Sequence, residues 1–243
     1  DLVQNVLKVG EQIKDATQWG RLSLGGTTFL PVADSKIIVR SPIEDLAMND
    51  GNRVPVIVGS TDSEYRLYLM PDSGLKKITT HDVNMVIHAL GLPADVFQAY
   101  IKNSISAENP GDVYAQIMSD YTFRMPALHI AQIMSRNQNT WFYHFSWRSP
   151  AYNGLLGAAH FVDVPFTFGT LHTKEAENFV GINPPQSLSD SMNDAWVGFA
   201  KYGNPGWPKY SDKDKKTMFF DTKSYLGTLG DQQITTLWEN FRF

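Results

Sequence analysis

The sequence of 243 residues contains no cysteine. This absence excludes disulfide scaffolds, thiol nucleophiles and cysteine-ligated zinc sites. A chain without cysteine needs no oxidising compartment to form disulfides, and we therefore expect a cytoplasmic location. Secretion stays open as the alternative, because secreted bacterial proteins also occur without cysteine.

The chain also lacks an excess of positive charge and a long apolar run. It carries 21 Lys and Arg against 25 Asp and Glu, a net charge of −4, and no long basic stretch. This balance argues against a nucleic-acid partner and against a polybasic membrane surface. The longest apolar runs, such as Val54–Gly59 and Gly154–Ala159, are far too short to span a bilayer. We therefore expect neither nucleic acid nor a membrane as a partner.

Motifs for phosphate and metal binding are missing as well. The sequence has no Walker pattern, no Gly-x-Gly-x-x-Gly and no His-Glu-x-x-His. His81 and His88 are seven residues apart on a predicted helix, but no third ligand is placed beside them. We interpret this pair as part of a polar helix surface and expect no metal site.

What the chain does contain is ordinary globular composition. Apolar residues make up 42% and charged residues 19%, which fits one large domain or two small ones. The chain begins with Asp1 rather than methionine, and we expect residue 1 not to be the natural start of the protein.

Hydrophobic patterning predicts an α/β chain with a small sheet. Buried strands are predicted at Val54–Gly59 and Thr140–Ser146, which are apolar on both faces. Shorter strands are predicted at Ile37–Val39 and Thr217–Phe220. Helical patterns fill the region between Thr79 and Arg136, with a kink expected at Pro126, and recur at Ser187–Tyr202 and Thr235–Phe241.

Two segments carry side chains suited to catalysis. A buried strand runs into a loop that holds Asp62 and Glu64, and ligands bind at such carboxyl ends of strands in α/β sheets. His160 follows a run of small residues, with Asp163 three positions later. Taken alone, the first segment fits a solvated acidic loop and the second a packed core histidine. The order acid and then histidine is, however, the order of an α/β-hydrolase triad.

Five sequence blocks identify the family that the chain resembles. They are Phe29–Asp34 (FLPVAD), Val54–Leu69 (VPVIVGSTDSEYRLYL), Ser119–Ala127 (SDYTFRMPA), Gly157–Gly169 (GAAHFVDVPFTFG) and Trp196–Tyr210 (WVGFAKYGNPGWPKY). In this order they resemble blocks of the type-B carboxylesterases, the cholinesterase-like branch of the α/β-hydrolases that includes bacterial p-nitrobenzyl esterases. The resemblance runs over nearly the whole chain.

The resemblance implies a serine esterase site. It places the triad acid on Glu64 and the triad base on His160, and it implies no metal or organic cofactor. The substrate would be a small apolar carboxylic ester. The helices from about residue 70 to 136 correspond to the lid or regulatory region of the family, within one α/β-hydrolase domain over residues 1–243.

The chain departs from the family at several positions. The glycine that follows the acid in the family is Tyr65 here, and the small residue after the histidine is Phe161. Asp62 lies close enough to compete with Glu64 as the acid. Gly25 and Gly26 are followed by two threonines and do not resemble the family's oxyanion segment.

The largest departure is the absence of a Gly-x-Ser-x-Gly nucleophile motif. We therefore expect the chain to be the C-terminal portion of an α/β-hydrolase, with a small incomplete sheet and many helices. It would be inactive alone, with the missing N-terminal part of the same enzyme as its partner and self-association through an open sheet edge. The alternatives are a non-catalytic cholinesterase-like binding or adhesion module and an independent α/β domain that binds a small ligand.

Overall fold

A computed structural model describes residues 1–13, 15–25, 29–48, 54–70, 74–103, 109–229, 232–239 and 241. Its centre is a four-stranded sheet in the order β1 (Val56–Thr61), β2 (Thr140–Phe145), β3 (Lys216–Phe220) and β4 (Tyr225–Thr228). The first three strands are parallel, and β4 pairs with β3 in the antiparallel direction. The β1–β2 register joins Val56 to Thr140 and Thr61 to Phe145.

Helices surround this sheet, and within the described ranges three 3₁₀ segments and one π-helical turn interrupt them. The 3₁₀ segments are Gly20–Leu24, Glu64–Leu69 and Ala151–Gly154, and the π turn is Asp120–Arg124. The α-helices are α1 (Leu2–Gln12), α2 (Ala16–Trp19), α3 (Pro42–Met48), α4 (Gly74–Lys77), α5 (Thr80–Leu90), α6 (Val96–Asn103), α7 (Pro110–Ser119), α8 (Met125–Met134), α9 (Asp163–Thr167), α10 (Lys174–Val180), α11 (Gln186–Tyr202) and α12 (Gln232–Glu239).

Strand β2 separates two apolar cores. Phe142 packs into a core built with α5 to α8, while Trp141 and Phe145 pack into a core built with α9 to α11. Both faces of the strand are thus covered, as the continuous apolar run Thr140–Ser146 predicts. The predicted α/β class, with a small sheet and many helices, is confirmed.

Gly59 explains how β1 packs so closely on β2. A Cβ atom built at Gly59 would lie 2.2 Å from the Tyr143 carbonyl oxygen and 2.4 Å from its ring. Atoms that close overlap, so the position admits only glycine. Because Gly59 has no side chain, the Tyr143 ring can lie against β1. Gly59 is five residues before Glu64.

Two local predictions differ from the structure. The predicted strand at Ile37–Val39 is wrong, because the Asp34 side chain accepts hydrogen bonds from the backbone N–H groups of residues 36 to 38 and bends the chain. The kink expected at Pro126 takes the form of the π turn directly before α8. A proline removes one helical hydrogen bond and crowds the carbonyl four residues earlier, and here that carbonyl belongs to Thr122 inside the wider turn.

The other predicted strands and helices are present with shifted bounds. The predicted helix over Thr235–Phe241 appears as α12, and Ser187–Tyr202 as α11. Gly26, Thr27 and Thr28, which follow Gly25 in the segment compared with an oxyanion loop, lie outside the described residues. Within the described ranges, no helix combines the length and the apolar composition that crossing a membrane requires.

Candidate active site

Glu64 is held at the carboxyl end of β1 by a tight turn. The backbone N–H of Asp62 donates to the Phe145 carbonyl (2.9 Å), and that of Ser63 donates to the Ala158 carbonyl (2.8 Å). The Glu64 carboxylate folds back over this turn, since its Oε1 accepts a hydrogen bond from the Thr61 N–H at 2.7 Å. The acid is therefore fixed by strand β2, by its own turn and by the loop that carries His160.

His160 meets Glu64 through both its backbone and its side chain. Its N–H donates to the Glu64 carbonyl (3.1 Å), and its Nδ1 lies 2.7 Å from Glu64 Oε2. The carboxylate is buried, at 6% side-chain exposure, whereas the imidazole is 39% exposed. This hydrogen bond raises the pKa of His160, against the lowering effect of the ring's partial burial. The structure thus brings together the two residues that the resemblance nominates.

Aromatic rings cover the His160 imidazole. The Phe123 ring centroid lies 4.9 Å from that of His160, and the Tyr68 centroid lies 5.8 Å from it. Phe123 and Tyr68 in turn stack on each other at 6.4 Å. The ring is therefore held by a carboxylate at Nδ1 and by apolar surface beside it.

Asp62, the competing acid, contacts a different histidine, His144. Its Oδ1 lies 3.4 Å from His144 Nε2, and its Oδ2 accepts a hydrogen bond from the Ser63 hydroxyl at 2.9 Å. Burial disfavours the Asp62 carboxylate, but the hydrogen bond and charge of His144 outweigh this effect, so the pKa of Asp62 is lowered. Glu64 and not Asp62 is the carboxylate in contact with His160.

Asp163 adds a third carboxyl near the Glu64–His160 pair. Its Oδ2 accepts a hydrogen bond from the Tyr143 hydroxyl at 3.3 Å. Burial, followed by the negative charge of Glu64, raises the pKa of Asp163 to about 6. Beside the histidine, the site therefore holds a carboxyl group whose pKa lies well above its usual range.

The residue after the histidine adopts an unusual backbone conformation. Phe161 has φ +74°, in the left-handed region that bulky side chains rarely occupy, and its ring packs on Phe179 at 5.1 Å. Such a position costs on the order of 1–3 kcal/mol and is retained only where the surroundings impose it. Glycine, which has no Cβ atom, would relieve this strain.

Sequence reasoning missed the Asp62–His144 pair and the role of Phe123. His144 lies within the aromatic strand Thr140–Phe145, and only the parallel β1–β2 register places it beside the turn after β1. By contrast His81 and His88 are exposed on α5, as the polar-surface interpretation expects.

Comparison with known proteins decides the family. A sequence profile described as "Carboxylesterase family" matches residues 4–237. The chain belongs to the carboxylesterase family. It is similar to the para-nitrobenzyl esterase of Bacillus subtilis (strain 168), with 28% identity over 90% of this chain and 44% of the esterase. It is also similar to the phenmedipham hydrolase of Pseudarthrobacter oxydans, with 25% identity over 89% of this chain and 44% of that hydrolase.

Solved structures of carboxylesterases share the fold. A Geobacillus stearothermophilus carboxylesterase at pH 6.2 superposes with a TM-score of 0.75 at 23% identity, covering 98% of this chain and 53% of its own. The α/β-hydrolase assignment is thereby confirmed. This carboxylesterase family member spans less than half the length of the two sequence relatives above and about half that of the structural neighbour.

Proposed function

We propose that this chain supplies the acid and the base of a serine carboxylesterase. The observation that carries the proposal is the 2.7 Å contact between His160 Nδ1 and the buried Glu64 carboxylate. A carboxylate at Nδ1 fixes the tautomer that leaves Nε2 free to accept a proton, and it stabilises the imidazolium that forms. Retention of both residues supports catalysis over a non-catalytic binding module.

In the proposed reaction an ester is cleaved through an acyl-serine. His160 Nε2 takes the proton of the serine hydroxyl as its oxygen attacks the ester carbonyl, and returns the proton to the departing alcohol. Water then attacks the acyl-serine with the same histidine as base, which releases the acid and restores the serine. Glu64 stays ionised and holds the imidazole throughout.

The nucleophile and the oxyanion donors are proposed to come from the N-terminal part of the same enzyme. No Gly-x-Ser-x-Gly motif occurs in the sequence, and the chain covers 44% to 53% of the compared relatives. Without the serine, the triad has nothing to activate but water, since its members act as a unit. We therefore propose that the chain alone is inactive.

The described surface offers a place for that partner. Strand β1 is the first strand of the sheet, and among described residues its pairing partner is β2 alone. Many large apolar residues before Val54 are exposed, namely Leu2, Val3, Leu7, Leu22, Phe29, Leu30, Val32, Ile37, Val39 and Met48. Open strand edges and exposed apolar surface favour association.

The substrate class follows from the surroundings of His160. Phe123 and Tyr68 present aromatic surface beside the imidazole. We propose a small apolar carboxylic ester as the substrate. Helices α4 to α8 are proposed to be the lid region that shapes its access.

Hydrolysis of p-nitrophenyl butyrate tests the proposal directly. We expect no enzymatic turnover by the chain alone, and turnover when the N-terminal part of the full-length parent is added. His160→Ala in the complemented enzyme should abolish turnover. Saturable hydrolysis by the chain alone that a serine-directed phosphonate blocks would identify a nucleophile within this sequence and refute the split of the triad.

Association in solution tests the proposed docking surface. We expect the isolated chain to self-associate at micromolar concentrations, measured by light scattering, because its β1 edge and apolar N-terminal surface lack the partner. Addition of the N-terminal part should replace these self-contacts by a one-to-one complex. A monodisperse monomer would contradict the proposal of an uncovered edge.

A further inference from the structure

The block Ser119–Ala127 has no role in the acid–base chemistry described so far, although it is one of the five family blocks. In the structure its first half is the π turn Asp120–Arg124 between α7 and α8. Wide turns of this kind are rare and recur at functional sites. The contacts on the two sides of this turn suggest what it does.

On one side the turn is fixed by a buried ion pair. Asp120 is fully buried, and it accepts hydrogen bonds from Arg124 Nη2 at 2.7 Å and from the Tyr100 hydroxyl at 2.5 Å. Trp238 Nε1 donates to the same Tyr100 hydroxyl at 2.8 Å. A buried carboxylate that lost these partners would be strongly unfavourable, so the ion pair commits the turn to one geometry.

On the other side the turn contacts His160, and the residue before the turn contacts the neighbour of Glu64. Phe123, one residue before Arg124, lies against the His160 ring at 4.9 Å. The Ser119 hydroxyl, one residue before Asp120, accepts a hydrogen bond from the N–H of Tyr65, the neighbour of Glu64, at 2.9 Å. The residues that flank the ion pair in sequence are thus the ones that touch the site.

We propose that the Asp120–Arg124 ion pair positions the His160 imidazole by holding the π turn that places Phe123 against it. This role rests on the proposed function of His160 as the base. Glu64 restrains the ring at one nitrogen, and a 39% exposed ring held at one atom retains freedom to tilt. Phe123 removes that freedom, so the ion pair acts on the reaction through Phe123 without touching substrate.

Nuclear magnetic resonance of the histidine side chains tests this coupling without any turnover. The chain has six histidines, and His160→Gln assigns the His160 signals. Phe123→Leu should remove the part of the ring-current displacement of these signals that comes from the nearer ring, leaving the part that comes from Tyr68. Asp120→Asn should shift them in the same direction, although the contacts of Asp120 are with Tyr100 and Arg124, while the signals of the exposed His81 and His88 stay in place.

Matched variants separate positioning from general stability. Tyr121→Leu removes an aromatic ring from the same turn, where it contacts Trp238 and Phe241, and should leave the His160 signals unchanged. Arg124→Lys, which keeps the charge, should shift them less than Arg124→Gln. If Asp120→Asn does not fold, the comparison of Arg124→Lys with Arg124→Gln tests the proposal. Unchanged His160 signals in a folded Asp120→Asn or in Phe123→Leu, or equal shifts in both Arg124 variants, would overturn the proposal.

Activity gives a second readout in the enzyme completed by its N-terminal part. Asp120→Asn should lower kcat roughly tenfold to a hundredfold, the order expected when a catalytic group is displaced by less than about 1 Å, with KM within about twofold. Tyr121→Leu should leave both constants unchanged. An unchanged kcat in Asp120→Asn overturns positioning. Absence of all ester hydrolysis in the completed wild-type enzyme refutes the proposed function instead, while the magnetic resonance result still reports the coupling.

Discussion

Two carboxylates lie two residues apart after strand β1, and each contacts a different histidine. Glu64 Oε2 lies 2.7 Å from His160, whereas Asp62 Oδ1 lies 3.4 Å from His144. The burial of the two pairs is reversed. In the first pair the acid is 6% and the histidine 39% exposed, and in the second pair the acid is 30% and the histidine 5% exposed.

This reversal distinguishes a pair suited to catalysis from one suited to structure. A general base must reach a proton outside its own pair, which requires an accessible imidazole, and only His160 of these two has one. The buried His144 instead ties the turn after β1 to strand β2. We therefore propose that these chemically similar pairs have different roles because of their different burial, which the local sequence does not display.

The largest expected effect is on catalysis. In the enzyme completed by its N-terminal part, Glu64→Gln should lower kcat by about 10³ to 10⁴, because the amide no longer fixes the tautomer or stabilises the imidazolium. Asp62→Asn should lower kcat by no more than roughly tenfold, since its contact with His144 supports the turn only indirectly.

Initial rates with p-nitrophenyl butyrate measure both variants, and circular dichroism verifies that both are folded. A larger loss of kcat in Asp62→Asn than in Glu64→Gln would reverse the assignment of the acid.

A smaller effect is expected on stability, and it concerns the Asp62–His144 pair. The pKa of Asp62 is lowered on folding, so its carboxylate stabilises the folded state above the unfolded pKa of about 3.9. This contribution is lost as pH falls through the folded pKa. At pH 7, Asp62→Asn should therefore lower the free energy of unfolding by about 2 kcal/mol.

Urea denaturation at pH 7 and at pH 3 checks this expectation, and the difference between wild type and variant should shrink at the lower pH. Asp194→Asn, on an exposed position of α11, is the control and should stay within about 0.5 kcal/mol of wild type. A difference that grows towards pH 3 would contradict the assigned direction of the Asp62 pKa shift.

The sequence predicts those parts of the fold that local patterns determine. Strands β1, β2 and β3 follow from apolar runs, and α5 and α11 from helical periodicity. Strand β4 escaped prediction because Tyr225–Thr228 is short, contains a glycine and is largely exposed, so it has no apolar run. It forms because β3 offers an edge to a chain that turns back after Asp221.

The candidate site likewise contains residues that the sequence nominates and contacts that it does not predict. Glu64 and His160 were nominated through family blocks, since neither stands out by spacing alone. Contacts between distant segments were not predictable. His144 reaches Asp62 across 82 residues through the β1–β2 register, and the ion pair of the π turn depends on Tyr100, twenty residues before it. Such contacts are set by packing and leave no periodic signal.

The smallest expected effect concerns the charges around the two pairs. The cations Arg124 and Arg66 interact electrostatically with Asp62, whereas Asp163 interacts with Glu64 and has a pKa raised to about 6. A carboxyl whose pKa is raised on folding binds more protons in the folded state, so stability falls as pH rises from about 4 to about 6 and then levels off.

Asp163→Asn removes this penalty and should therefore raise the free energy of unfolding by about 1–2 kcal/mol at pH 8, with little gain at pH 3.5, which lies below the pKa of Asp163 in both states. His160 also loses stability as pH rises through its raised pKa, and because the charge of Asp163 contributes to that raised pKa, Asp163→Asn removes a part of this loss as well. Urea denaturation at pH 3.5, 6 and 8 measures the difference, with Asp194→Asn again as the control. A variant that is less stable than wild type at pH 8, or a difference that does not depend on pH, would show that Asp163 is ionised at no cost. The environment of Glu64 would then be no more negative than that of Asp62, and the electrostatic contrast between the two pairs would fail.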